Sequence, residues 1–183
     1  MSDRAAGIEL LVLWAVWFYP FIFRAPHWQK REHTTVAGPS LAGLFLECLG
    51  ISLAFSLRAP AVGIARLAAS AAAGILAIAM AWMAVAHLGR QLRIFAGLYK
   101  DHELVRTGPY AVVRHPIYAS LFVMLLCTIL ARSSWLGGLV SVAVFIAGTE
   151  IRMRAEDRLL ASRFGEAFQA WRRKTPAYLP LIR

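Results

Sequence analysis

Acidic charge is what this chain has least of. Ten Asp and Glu stand against 20 Lys and Arg in 183 residues, for a formal net charge of +10. All charged residues together make up 16%, against about 25% in an ordinary soluble domain. Cysteine is nearly absent. Cys48 and Cys127 fall in separate apolar stretches, with no His/Cys cluster at ligand spacing. That excludes a disulfide framework and a metal centre, and each reads as a small buried apolar residue. No Gly-, Ser- or Pro-rich linker divides the sequence and no internal repeat is visible, so 1–183 is expected to be one domain. No glycine-rich strand-to-helix loop is present, which excludes a soluble dinucleotide-type fold. No recognition module accompanies the basic balance, so nucleic acid is not an expected partner.

Apolar residues are abundant: 59% of the chain, with a mean hydropathy of +0.58. They form five segments, running from Ala5 to Phe23, Leu41 to Leu57, Gly63 to Leu88, Pro116 to Leu130 and Trp135 to Thr149. A helix crossing the hydrocarbon core needs about 20 residues. The expected fold is all-α: a polytopic membrane bundle of about five transmembrane helices, in a lipid bilayer. The first segment is long, carries Trp14, Trp17, Phe18 and Tyr19, and lacks a small-residue cleavage site. It reads as a retained span rather than a signal peptide. The last two are short and joined by Ala131-Arg132-Ser133-Ser134, which predicts a hairpin over 116–149. In the third, Ala71, Ala73, Gly74 and Ala77 suit close helix packing, within or between protomers.

Charge predicts orientation. Arg24, Lys30 and Arg31, the stretch 89–114 and the tail beyond 150 hold most of the basic residues. The other side holds Arg4, Arg58, Arg66 and Arg132. The excess of Lys and Arg marks the cytoplasmic side, which puts the N-terminus outside and the C-terminus inside. From Glu150 to Trp171 the tail reads as a helix continuing the fifth span, with Leu160, Phe164, Phe168 and Trp171 as an apolar stripe. Gly165 is expected to bend it, and Pro176 and Pro180 to end it in extended chain.

One polar cassette interrupts the apolar spans, Thr107-Gly108-Pro109-Tyr110-Ala111-Val112-Val113-Arg114-His115-Pro116-Ile117-Tyr118. Gly108-Pro109 signals a turn. Pro116 suits a first helical turn, where its missing N–H has no partner to lose. Arg114, His115 and the free N–H groups of that helix start suit a carboxylate or phosphate. Interfacial anchoring to lipid phosphates is the plainer alternative.

The stretch Leu104-Val105-Arg106-Thr107-Gly108-Pro109-Tyr110 with Val113-Arg114-His115-Pro116-Ile117-Tyr118 resembles the signature of the isoprenylcysteine carboxyl methyltransferase family. So do Arg154-Ala155-Glu156-Asp157-Arg158-Leu159-Leu160, Phe164-Gly165-Glu166-Ala167-Phe168 with Trp171, and Thr175-Pro176-Ala177-Tyr178-Leu179-Pro180. The resemblance covers roughly His87 to the C-terminus. It implies a membrane enzyme using S-adenosylmethionine, with the cofactor at the cytoplasmic face and a lipophilic or membrane-associated acceptor entering from the bilayer. Carried over by position, it implies cofactor contacts from Tyr110, Arg114, His115, Pro116, Tyr118, Glu156 and Asp157. It also divides the chain into three N-terminal spans, 1–88, and a cofactor-binding half, 89–183. The family commonly has Glu-Glu where Glu156-Asp157 stands, and Tyr where Phe168 and Trp171 stand. The shorter Asp favours Glu156 for a ribose or ammonium contact, and the aromatic changes remove hydroxyls.

The side-chain types agree with that cofactor. Acidic groups suit its diol or ammonium, Arg and His its carboxylate, and aromatics its adenine or sulfonium. An intrahelical pair with Arg152 is the alternative for Glu156. Arg114 is a candidate to orient the acceptor, and Glu47, a carboxylate in mid-span, is a candidate catalytic group. A helix–helix hydrogen bond is the alternative for Glu47. His87, Arg90, Gln91 and Arg93 are candidates for the substrate mouth, with interfacial snorkelling as the alternative. The resemblance names the carboxylate of a prenylated cysteine as acceptor. Phospholipid amines and small thiols are the alternatives, followed by a membrane reductase using NADPH and a non-enzymatic membrane subunit.

Overall fold

The computed structural model describes residues 3–23, 33–36, 38–93 and 97–178. Arg24, Lys30, Arg31, Leu179 and Pro180, invoked above, lie outside the described residues. Helix α1 is Asp3–Phe23, α2 Pro39–Ser56 and α3 Ile64–Leu88, with a 3-10 turn over Gly89–Gln91. A four-residue helix α4, Pro109–Val112, precedes α5, Pro116–Arg132, and α6, Trp135–Lys174. Four helices (α1, α2, α3 and α6) are long and apolar enough to cross a membrane, and α5 is a shorter apolar helix of 17 residues. Outward-facing Ile8, Leu11, Phe45, Ile64, Ile75 and Leu139 give the bundle an apolar exterior. The chain is an integral membrane protein built as an all-α bundle.

The boundaries follow from local chemistry. Pro116 occupies the first turn of α5. The Ser134 side chain caps α6 by accepting from the Gly137 N–H at 3.1 Å. The connection between α5 and α6 is therefore only Ser133 and Ser134, and it pairs with the α2–α3 connection through Ser134 N–H to Leu57 O and Ala59 N–H to Arg132 O. At the opposite end the polar segments meet. There, strands β1, His33–Val36, and β2, Gly97–Tyr99, form a two-stranded antiparallel ribbon that the apolar pattern did not indicate.

Helix α6 runs through the membrane segment into the tail, as expected from the stripe. Gly165, at φ 50°, breaks its regular geometry. Phe168 is fully buried and Trp171 nearly so, packed with Tyr110 and Ala84. The Trp171 indole N–H donates to Tyr110 O at 3.2 Å. The stripe thus packs onto the bundle.

Close backbone approach sets the helix pairing. α2 packs along α6, and α3 along α5, with α1 laid on α3 and α5. Gly43 and Gly148 face each other on α2 and α6. A Cβ at Gly148 would lie 2.6 Å from Gly43 O and 2.8 Å from Glu47 N. Gly148→Leu is expected to lower stability by about 1–3 kcal/mol or more, because both obstacles are backbone. A thermal melt in detergent reads this, and an unchanged midpoint would contradict the packing. Gly74 meets Leu13 and Cys127 within the chain. Trp14 donates to Thr128 Oγ1 at 3.1 Å, tying α1 to α5. Cys127 is buried as expected, but Cys48 is exposed, because it falls on the outer side of α2 beside a cavity.

Candidate functional site

The cassette folds as its punctuation predicts. Gly108 has φ 58°, and a Cβ there would meet the His87 ring at 2.3 Å. The positive φ therefore favours glycine there, and the exposed His87 ring packs over it. The turn starts α4, and α4 delivers Arg114 and His115 to the start of α5. Both are then held by the chain beyond α6. Arg114 N–H donates to Pro176 O at 2.9 Å and His115 N–H to Ala177 O at 2.8 Å. The Arg114 guanidinium also donates to the carbonyls of Thr175 and Arg172.

Asp157 and Glu156 meet the cassette from α6. Arg114 Nη2 is 3.1 Å from Asp157 Oδ2, and His115 Nε2 is 3.0 Å from Asp157 Oδ1. His115 Nδ1 is 3.3 Å from Glu156 Oε2. The Tyr118 hydroxyl donates to Glu156 Oε1 at 2.5 Å. Burial alone would depress the His115 pKa, but hydrogen bonds to Asp157 and Glu156, with both charges, raise it to about 9. The ring is therefore an imidazolium at neutral pH, donating from both nitrogens. Burial and the Glu156 charge raise the Tyr110 pKa, so its phenol stays neutral.

A second cluster adjoins the first. Glu47 on α2 is 1% exposed, and its carboxylate accepts from Arg152 Nη1 at 2.5 Å and from Thr149 Oγ1 at 3.0 Å. Arg152 Cζ lies 4.9 Å from the centre of the Tyr118 ring. Arg152 thus faces α2 as well as sharing the α6 face of Glu156, four residues on. Reading α6 alone found only the second of these neighbours.

The two clusters share a cavity of about 410 Å³, a size suited to a small organic ligand. Tyr110, Arg114, His115, Pro116, Tyr118 and Glu156 line its charged part, with Glu47 and Arg152 on the same wall. Asp157 does not line it; that carboxylate sits behind Arg114 and His115. The rest of the wall is apolar, formed by Trp14, Phe18 and Ile22 of α1 and Leu44 and Ile51 of α2. Gln91 and Arg93 also border it, whereas His87 is spent against Gly108 and Arg90 lies 4.0 Å from Asp101. The structure thus brings Tyr110, Arg114, His115, Pro116, Tyr118, Glu156, Glu47, Gln91 and Arg93 to one cavity, with Asp157 behind it and His87 and Arg90 outside its lining.

Sequence reasoning did not assign Arg152, Thr149 or Trp17 to the site, although Arg152 was named beside Glu156. Arg152 carried a signal, since a basic residue four before Glu156 on one helix must share its face. Trp17 carried none beyond its place on an apolar span.

A profile of the isoprenylcysteine carboxyl methyltransferase family matches residues 70–162, about half of the chain. The Schizosaccharomyces pombe protein-S-isoprenylcysteine O-methyltransferase is 36% identical over 83 residues, 45% of this chain and 35% of that protein. The nickel-cobalt-cadmium resistance protein NccN of Alcaligenes xylosoxydans xylosoxydans is 33% identical over 115 residues, 60% of this chain and 52% of the relative. The cobalt-zinc-cadmium resistance protein CzcN of Cupriavidus metallidurans is 34% identical over 116 residues, 59% and 50% respectively. The chain thus spans about half or less of the length of the curated relatives it matches. The matched region holds most of α3, all of α5 and α6 as far as Ser162, so this membrane protein belongs to the isoprenylcysteine carboxyl methyltransferase family.

Proposed function

We propose that this chain is a methyltransferase that uses S-adenosylmethionine and methylates an amphiphilic acceptor at the membrane surface. The observation that carries this reading is the joint cavity, apolar towards α1 and α2 and charged towards α5 and α6. Such a cavity accommodates a lipid chain and a polar reacting group at once. The first candidate acceptor is the carboxylate of a prenylated cysteine, in keeping with the name of the yeast relative. Phospholipid amines and small thiols are the alternatives.

The residues present fit the cofactor. The Tyr110 hydroxyl and Arg114 Nε are buried without hydrogen-bond partners, and both side chains line the cavity. An amino acid carboxylate would satisfy Arg114. Glu156, 27% exposed where Asp157 is 13%, is the carboxylate available for a ribose or ammonium. Tyr118 and Tyr110 supply aromatic surface, and Pro116 fixes the helix start that carries them. Asp157 keeps Arg114 and His115 charged and oriented. When bound, S-adenosylmethionine supplies an electrophilic methyl group.

An acceptor carboxylate is already ionised at neutral pH and needs no general base. The work of the chain is then to orient the reactants and exclude water. Arg152, on the charged wall of the cavity, orients the acceptor, and Glu47 holds Arg152. Arg114 is committed to the cofactor and to the segment 172–177. Glu47 would act as a base only for an amine or thiol acceptor. The basic end of the bundle is read as cytoplasmic, with the N-terminus outside. The whole of 1–183 works as one domain, in which 1–88 supplies the acceptor wall and 89–183 the cofactor site.

Calorimetric binding of S-adenosylhomocysteine to the detergent-purified protein tests this. Binding is expected near pH 7 and is expected to weaken as pH rises through about 9, where His115 loses its proton. The sign follows from a raised pKa. The contribution of the charged ring is complete below its unfolded value of about 6.5 and is lost above the folded one. Binding of NADPH alone would replace the reading with a reductase, and binding of neither would favour a non-enzymatic subunit.

A further inference from the structure

A second hollow lies outside the cavity described above. It holds about 340 Å³ and is lined by Arg106, Ala111, Ala170, Trp171, Lys174 and Thr175. Trp171 lines both hollows. The two cations come from different elements: Arg106 precedes α4, and Lys174 ends α6. Both are exposed, and among the described residues neither has an ion pair. No acidic residue lines the hollow. A basic residue in the last turn of a helix, such as Lys174, answers to the helix dipole. Arg106 belongs to no helix, so that reason does not extend to it. Two like charges at one hollow repel, and an anion between them turns the repulsion into attraction. The hollow lies beside the start of the apolar helix α5. Ala111 stands three residues before Arg114 and Thr175 one before Pro176, and the Arg114 N–H donates to Pro176 O at 2.9 Å. Next to Ala111, Val112 is 59% exposed. The lip of this basic hollow is therefore apolar.

We propose that Arg106 and Lys174 bind the phosphodiester of an anionic phospholipid from the adjoining leaflet, held as a bound lipid and not methylated. A phosphate matches the two cations. Ala111, Ala170 and Val112 match the glycerol and the upper acyl chain. A zwitterionic headgroup would bring an ammonium against Arg106 and Lys174, with no carboxylate in the hollow to receive it. A free phosphate would pair with the cations and leave the apolar lip uncovered. The bound headgroup joins α4 to the end of α6 from behind. At that contact the Trp171 indole N–H donates to Tyr110 O at 3.2 Å, and Thr175 O receives the Arg114 guanidinium. Tyr110 and Arg114 both line the larger cavity. The lipid thus steadies two groups of that cavity without entering it. The gain in cofactor affinity that follows rests on the methyltransferase reading; the lipid site itself rests on the two cations and the hollow.

The test uses the full chain in vesicles of phosphatidylcholine alone and of equal parts phosphatidylcholine and phosphatidylglycerol. Native mass spectrometry of protein released from the mixed vesicles counts the lipid retained. Amide exchange follows the N–H groups of Arg114, His115 and Thr175, all hydrogen-bonded at this contact. The wild type is expected to retain phosphatidylglycerol over phosphatidylcholine and to exchange more slowly at all three amides when it is present. Arg106→Gln and Lys174→Gln are each expected to cut that selectivity about fivefold, the worth of one cation near an anionic surface, and to lose the protection. Arg173→Gln removes the same charge next to Lys174 but outside the lining, and is expected to keep both. Equal retention of the two lipids by the wild type would overturn the site. So would an Arg173→Gln protein that loses as much as Arg106→Gln, because net charge alone would then be responsible. Equal protection by inorganic phosphate in phosphatidylcholine vesicles would overturn the lipid and put a soluble anion in its place. S-Adenosylhomocysteine that binds in neither membrane, with the lipid selectivity intact, would remove the methyltransferase reading and leave the lipid site standing.

Discussion

Asp157→Asn is expected to cost about 3–5 kcal/mol of stability, the cost of stranding buried charge by removing one partner. Asp157 is the shared counter-ion of Arg114 at 3.1 Å and His115 at 3.0 Å, both buried. Asn keeps the shape and removes the charge. Arg114 then keeps only carbonyl partners, and His115 keeps only Glu156. Because Arg114 also grips the carbonyls of Arg172 and Thr175, the chain after α6 should loosen. A lowered thermal midpoint together with earlier proteolysis near residue 175 would report this. Affinity for S-adenosylhomocysteine should fall at least about tenfold, a loss of roughly 1.4 kcal/mol. Arg172→Ala is the control, since Arg172 is half exposed and 4.0 Å from the same carboxylate. It should change stability by no more than about 0.5 kcal/mol. An Asp157→Asn protein with the wild-type midpoint would contradict the counter-ion role. At 8% exposure with backbone partners, Arg114→Ala should lower stability as well as ligand affinity.

The second large effect concerns Glu47 and Arg152. Glu47→Leu strands the Arg152 guanidinium in the bundle and should also cost about 3–5 kcal/mol. The double variant Glu47→Leu, Arg152→Met should recover most of that loss, because an apolar pair of similar volume replaces a desolvated ion pair. Methyl transfer should not recover with it. Stability and activity then separate, and activity follows Arg152. A double variant as active as wild type would remove Arg152 from acceptor binding. One no more stable than Glu47→Leu would mean that the pair does not carry the α2–α6 contact. Thr149, the other partner of Glu47, loses one hydrogen bond in either variant.

Legibility in the sequence tracked the range of the interaction responsible. The third apolar segment, read from Gly63 to Leu88, is helix Ile64–Leu88, because one long, mostly apolar run bounded by glycines decides it locally. Pro116, Ser134 and Gly165 mark helix starts and a break through backbone rules that need no partner. The ribbon of 33–36 with 97–99 was not legible, because each strand is only three or four residues of polar loop and draws its stability from the other. The Arg114-His115 and Glu156-Asp157 blocks were legible as a meeting of two motifs. Their wiring was not: nothing local says that Asp157 takes both cations and Glu156 takes Tyr118. Cys48 was misplaced because an apolar span does not announce which of its faces is outermost. Arg152 was seen as a neighbour of Glu156 and not of Glu47, since helical spacing reports only the same helix.

The length of α6 has a consequence for the membrane as a whole. Glu156 follows Trp135 by twenty-one residues of unbroken helix, a rise of about 32 Å. The hydrocarbon core is about 30 Å thick. The charged cluster is therefore carried on a rod whose length nearly equals the bilayer, with Trp135 and Arg132 marking one boundary and Glu156 and Asp157 the other. A thicker bilayer would draw the carboxylates into hydrocarbon or force the rod to stand more upright. A thinner one would tilt it and lift the cavity mouth towards water. Lipid chain length thus sets how far the charged cluster stands from the water.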